Sequence, residues 1–222
     1  MKTILLALSL SLAITEPAGA SLITFDDMSD AGTGSAIPIG YAGFTWNNFR
    51  VLNTVAYLAS AQAEGINASG YNAGTVSPQN VIYAAWSDPA SISGLGKFDL
   101  TSAFLTAAWN DNLQVEVVGS SGGIVLYDQV YVLNATVPTL VTFNYAAVDL
   151  VQFSTSGGTQ HYPIGMGTHF CMDNLTVNEN GAIPEPATYF AGGLLLLPLG
   201  APFLFGLVSR WGLRRNIRPS HS

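Results

Sequence analysis

The chain has 222 residues, 49% of them hydrophobic and 9% charged, which is enough apolar surface for one packed core and too little charge for a disordered acidic tail. Its formal charge is -7, but between Ser21 and Gly181 twelve Asp/Glu face only Arg50 and Lys97, giving a body of -10; without a basic stripe to neutralise phosphates, nucleic acid is excluded as a partner. One cysteine, Cys171, rules out an internal disulfide, so the body depends on core packing or on a metal ion.

Residues 1–20 have the plan of a secretory signal peptide: Lys2, an apolar run from Ile4 to Ile14, a break at Glu16-Pro17, and small residues Ala18-Gly19-Ala20. Cleavage is expected between Ala20 and Ser21. The apolar run is too short to span a bilayer.

Residues 21–180 read as a single all-β domain, an antiparallel sandwich or jelly roll. Short segments of period-two alternation recur about every ten residues between Gly, Ser, Asn and Pro turns. In chain order the expected strands are Leu22–Asp26, Phe44–Arg50, Val81–Trp86, Ser102–Trp109, Leu113–Val118, Gly123–Leu133, Thr139–Asn144, Val148–Thr155 and His169–Val177. Leu113, Val115 and Val117 alternate with Gln114 and Glu116, and Ser120–Gly123 supplies a hairpin turn. Ala59–Pro78, rich in Ala, Gly, Ser and Asn, reads as a long rim loop of the kind that carries function.

Residues 181–188 form a linker containing Pro184-Glu185-Pro186, two prolines that hold the chain extended. No charge then occurs before Arg210, and residues 189–209, as a helix, are long enough to cross about 30 Å of hydrocarbon. Pro198 and Pro202 each remove a helical hydrogen bond, which membrane helices tolerate. The competing reading is a buried soluble hairpin. Arg210, Arg214 and Arg215, in a basic tail over 210–222, favour the membrane span and a cytoplasmic tail, leaving the body outside.

The order Pro-Glu-Pro, apolar helix, arginine cluster, behind an N-terminal signal, resembles the PEP-CTERM sorting signal of exported bacterial proteins over about the last forty residues. The chain departs from it in its two helix prolines and its seven residues after Arg215. The resemblance implies an exosortase as partner, a membrane-embedded enzyme that removes the tail and passes the body to the cell envelope or extracellular matrix.

In the body, Ile23-Thr24-Phe25-Asp26-Asp27, Gly40-Tyr41-Ala42-Gly43-Phe44-Thr45-Trp46 and Phe170-Cys171-Met172-Asp173-Asn174-Leu175-Thr176-Val177 resemble exported sandwich domains of the galactose-binding-like or jelly-roll type. That resemblance implies first and last strands that pair beside each other and, in many such domains, a carbohydrate ligand or a structural calcium. If the terminal strands pair, Asp27 and Asp173 meet at one end, and with Asn174 and backbone carbonyls they suit calcium; the competing role is turn capping.

Trp46, Trp86 and Trp109 are the candidates for stacking on a sugar's C–H face. Trp109 with Asn110 and Asp111, at a strand end followed by Asn112, is the best cluster for binding a neutral polysaccharide; burial in the core is the alternative for each tryptophan. His161, His169 and Cys171 lack the spacing of a zinc set. Asp26 and Asp27 are adjacent and, in a strand, point to opposite faces, so they do not form a glycosidase pair. The expected function is therefore an exported, non-enzymatic carbohydrate-binding or matrix module. A purely structural matrix protein and a polysaccharide hydrolase are the alternatives.

The sorting signal predicts that the exported protein loses its tail. Intact-mass analysis from the native host is expected to find Ser222 absent in most molecules, and retention in nearly all of them overturns exosortase handling.

Overall fold

The computed structural model describes residues 19–66, 68–85, 89–163 and 165–179. The signal core, Pro184-Glu185-Pro186, the 189–209 span, the tail with Arg210, Arg214 and Arg215, and Trp86 lie outside the described residues. Ala20 and Ser21, the expected cleavage pair, open the first strand. Among the described residues no helix is long and apolar enough to cross a membrane.

Ten strands are present among the described residues: β1 (Ala20–Ile23), β2 (Ser35–Ala36), β3 (Phe44–Asn47), β4 (Phe49–Asn53), β5 (Asn80–Ala84), β6 (Ala90–Ala107), β7 (Asn110–Ser121), β8 (Ile124–Leu133), β9 (Thr139–Gln160) and β10 (Phe170–Glu179). All their pairings are antiparallel. They form one hydrogen-bonded path, β2-β4-β5-β10-β6-β9-β7-β8, with β1 on β10 and β3 on β6.

The path folds over into two layers because β6 and β9 each run through both. Residues 98–105 of β6 pair with residues 139–148 of β9 beside β10, whereas Ala90–Ser93 pair with Leu150–Phe153 beside β3 and β7. The bend falls where the register shifts, at Gly94–Lys97 in β6 and at Asn144 and Ala147 in β9, both of which take positive φ. Phe49 of β4 and Phe153 of β9 are not strand neighbours, yet their rings meet edge-on at 5.7 Å. Phe153 also meets Phe170 of β10 at 5.8 Å, so the core lies between the layers.

The hairpin of β7 and β8 follows the alternation: Leu113, Val115 and Val117 are buried. Gly122 and Gly123 close it at φ 58° and 78°, the pair of positive angles that a tight primed turn demands. The expected Phe44–Arg50 strand is two strands. Asn48 stands at φ 59° and gives its side-chain amide to the Ala85 carbonyl at 2.9 Å, so the chain leaves β6 in one layer and joins β5 in the other. The two expected strands across 139–155 are instead one bent strand, and β6 starts well before Ser102.

The stretch expected as a loop, Ala59–Pro78, begins inside a helix and holds further helical turns. α1 (Thr54–Ala61) is capped by Asn53, whose Oδ1 accepts from Ala56 N at 2.9 Å. A 3-10 turn, Gln62–Glu64, and the single turn α2 (Gly70–Ala73) follow. α2 docks on the end of β6 through Gly70, whose N–H donates to Ala108 O at 2.8 Å. A Cβ there would lie 1.7 Å from the Ala107 carbonyl oxygen, so the approach requires glycine.

Two carboxylates tie the segment after α2 to the terminal strands. Buried Asp173 accepts from Val76 N (2.7 Å), Ser77 N (2.8 Å), Ser77 Oγ (2.8 Å) and Asn174 N (2.7 Å). Asp26 Oδ1 accepts from Gln79 N and Asn80 N. Asp173→Ala removes the acceptor of three amides, Val76, Ser77 and Asn174, and one partner of the Ser77 hydroxyl, and is expected to destabilise the body by about 3 kcal/mol; a change below about 1 kcal/mol in denaturant unfolding overturns that role.

Candidate functional site

The helical segment between β4 and β5 brings three tyrosines to one wall. Tyr71 of α2 is buried at the centre. Tyr57 of α1 stands perpendicular to it at 5.7 Å, Tyr83 of β5 lies at 5.3 Å, and Trp109, just before β7, meets it edge-on at 5.4 Å. Asn72 Nδ2 to Thr54 O and Thr75 Oγ1 to Thr54 Oγ1, both 2.8 Å, pin α2 to the start of α1.

These four rings, with Leu52, Ala85, His169 and Met166, line a cavity of about 480 Å³. Gly32 and Thr33 complete its rim. Asp30 holds that rim: one oxygen accepts from Gly32 N (2.8 Å) and Asn53 N (3.0 Å), the other from Ser35 Oγ (2.6 Å). Burial pulls the Asp30 pKa upward, but the bonds from Ser35, Asn53, Gly32 and Gly34 outweigh it and leave the carboxyl below its ordinary value.

Among the described residues the lining carries no charged side chain. Burial pushes the Tyr71 hydroxyl well above its ordinary pKa and lowers that of His169, so both are neutral at pH 7. They share a 3.0 Å bond between the hydroxyl and Nδ1. Tyr83 is raised by burial against the opposing influence of Arg50. The cavity therefore offers aromatic surface and a few neutral hydrogen-bonding groups, the make-up of a small-molecule site.

Trp109 is in this wall, but it is only 7% exposed and packs with Tyr71, Leu52 and Cys171 in a second core cluster. Gly165 covers it so closely that a Cβ there would sit 2.2 Å from the ring. It is a wall, not an open platform. Asn110 and Asp111 are not brought to the cavity: Asn110 Nδ2 donates to Gly167 O at 3.3 Å, and Asp111 accepts from Ala135 N at 3.0 Å and meets His161 Nδ1 at 2.7 Å. Trp46 is half-buried among Phe25, Phe44 and Phe49, with its Nε1 donating to Tyr41 O.

Asp27 accepts from the Tyr41 hydroxyl, while both Asp173 oxygens accept from N–H and O–H donors. Asp27 and Asp173 thus serve separate contacts, and the donors around Asp173 clamp the chain that follows α2. No group of three or more His, Cys, Asp and Glu placed to hold a metal occurs among the described residues. Cys171 is buried, with Sγ 3.4 Å from Gly70 O.

The sequence alone does not single out Tyr57, Tyr71, Tyr83 and His169 as the lining of one cavity. Tyr71 fell in the stretch read as a loop. The usable signal was Asn53 ahead of Thr54–Ala61, a helix start that sets Tyr57 on a defined face.

No protein-family model and no curated protein matches the chain. Among solved structures it is similar to a DUF4465 family protein from Bacteroides ovatus, at 11% identity over 78% of this chain and 97% of that one, with a TM-score of 0.42. The family 32 carbohydrate-binding module of C. perfringens NanJ, solved with galactose, is similar at 16% identity over 64% and 97%, TM-score 0.33. TmCBM61, solved with β-1,4-galactotriose, follows at 7% identity over 64% and 95%, TM-score 0.30.

Asp30 gives the site a pH signature. Its lowered carboxyl contributes stability that is present above the unfolded value near 3.8 and lost as pH falls through the folded value. Asp30→Ala is expected to cost about 1 to 2 kcal/mol at pH 7, a modest figure because the carboxylate is partly solvated, and the gap from the native body is expected to narrow at pH 3. Equal unfolding midpoints at pH 7 would remove the rim role.

Proposed function

We propose that this chain is an exported carbohydrate-binding protein whose body takes a neutral sugar into the cavity walled by Tyr57, Tyr71, Tyr83 and Trp109. The observation that carries this is an uncharged aromatic lining on a body of -10. A pyranose presents a C–H face to a flat ring and hydroxyls to neutral partners. Half-buried Tyr57 and Tyr83 supply the rings, and His169 and Thr33 supply polar groups. Anionic sugars face the repulsion of the body's charge and find no cation in the lining.

The proposed route to its place of action is signal cleavage at Ala20–Ser21, a membrane pause at residues 189–209, and exosortase processing at Pro184-Glu185-Pro186. The body then reaches the cell envelope or exopolysaccharide. Among the described residues no carboxylate lines the cavity, which supports a binding role over glycoside hydrolysis, whose acid and base must share one groove.

The test is a neutral-glycan array followed by calorimetry on the body, Ser21–Gly181, whose core clusters lie within residues 23–177. Binding is expected to persist at high salt, since stacking and neutral hydrogen bonds are not screened as ion pairs are. Tyr57→Ala is expected to abolish binding with little change in melting, whereas Trp109→Ala loses binding together with about 3 to 5 kcal/mol of stability. Absence of binding to any neutral polysaccharide, or undiminished binding by Tyr57→Ala, overturns the proposal.

A further inference from the structure

Tyr71 is 5% exposed, with its ring enclosed by those of Tyr57, Tyr83 and Trp109. Its hydroxyl makes one hydrogen bond among the described residues, 3.0 Å to His169 Nδ1. A hydroxyl carries one proton that needs an acceptor, and a neutral imidazole has one protonated and one bare nitrogen. A protonated Nδ1 would donate to the tyrosine oxygen and leave the tyrosine's own proton without an acceptor inside a wall of rings. With Nδ1 bare, the hydroxyl donates to it and no buried group is orphaned. Satisfaction of the buried hydroxyl therefore selects the tautomer.

The His169 main chain is fixed independently. Its carbonyl accepts from Ala108 N at 2.9 Å, and the next residue opens β10. The ring is half-buried in the cavity lining, and Nε2 has no hydrogen-bond partner among the described residues. Because burial keeps the imidazole neutral at pH 7, the two tautomers are the only states in question.

Resting on the sugar-binding reading above, we propose that Tyr71 is a positioning residue that holds His169 with Nε2–H toward the cavity, so that the cavity selects a sugar offering a lone pair at that contact. This discriminates where net charge does not. A body of -10 attracts cations, amino sugars in their ammonium form included. An ammonium group offers only protons, as Nε2–H does, so at this contact both are left unpaired. A hydroxyl, a ring oxygen or an acetamido carbonyl receives the proton.

The body, Ser21–Gly181, has two histidines, His161 and His169. His161 is not in the cavity lining, and His161→Gln leaves one imidazole to observe. The long-range nitrogen–proton NMR spectrum at pH 7 is expected to show a bare Nδ1 and a protonated Nε2 on His169. Tyr71→Phe keeps the ring and is expected to shift the Nδ1 resonance, because the bare nitrogen loses the proton bonded to it.

Methyl galactopyranoside and methyl glucopyranoside are then titrated in, with each hydroxyl in turn replaced by hydrogen, fluorine or an ammonium group. At the position that meets Nε2, the deoxy form is expected to lose about three- to tenfold in affinity. The fluoro form, which keeps lone pairs, loses less, and the ammonium form loses at least as much as the deoxy form. A protonated Nδ1 on His169, or an Nδ1 resonance unmoved by Tyr71→Phe, overturns the tautomer assignment whatever binds. Equal losses for fluoro and deoxy forms at every position overturn the selection. A body that shows the expected tautomer but binds none of the pyranosides overturns the sugar reading instead.

Discussion

β6 and β9 pair with each other twice, once in each layer, and the rest of the body depends on that double pairing. A conventional sandwich holds its sheets together by side-chain packing alone. Here two continuous backbones also join them, and each must bend where the other bends. Asn144 and Ala147 take positive φ at this point in β9, and the Ala147 amide is received by Asp99 of β6 at 2.8 Å. Neither residue is glycine, so the surrounding pairing holds a backbone conformation that costs about 1 to 3 kcal/mol each. The bend brings Phe153 over Phe49 and Phe170 and so closes the core.

The cavity follows from the same frame. Once β10 is fixed beside β6, Cys171 and His169 stand at the end of one layer, and α2 settles on Ala107 and Ala108 through Gly70. Tyr71 then occupies the centre of the aromatic wall, and Asp173, from the same strand, holds the chain that leaves α2. The site is thus built on strands and on a helix segment tied down by buried hydrogen bonds, with Asp30 securing the one rim loop. That is the preorganisation a weak stacking ligand needs, because each mobile side chain ordered on binding costs affinity.

Legibility in the sequence tracked how local the cause was. The β7–β8 hairpin shows as clean alternation around Gly122-Gly123, since inward and outward faces and turn chemistry are all local. The switch of layer at Asn48 was not legible: Asn48 and its neighbours read as one alternating strand, and only the Ala85 carbonyl across the fold explains the left-handed turn. The continuity of β9 was hidden for the converse reason, because a bent strand and two short strands share one hydrophobic pattern. Trp109 drew attention through its Asn and Asp neighbours, which the fold turns away to Gly167, Ala135 and His161. The ring it does meet, Tyr71, comes from a stretch whose small residues conceal a helical turn.

Strand order shows how one cavity draws on distant parts of the chain. Leu52 and Tyr83 come from β4 and β5 near one end of the path, whereas Trp109 stands just before β7 near the other. The cavity forms because the path folds over where β6 and β9 bend, which brings those two ends into one lining. Its aromatic wall is thus a product of the double pairing and not of any one segment, so the cause that closes the core also closes the cavity.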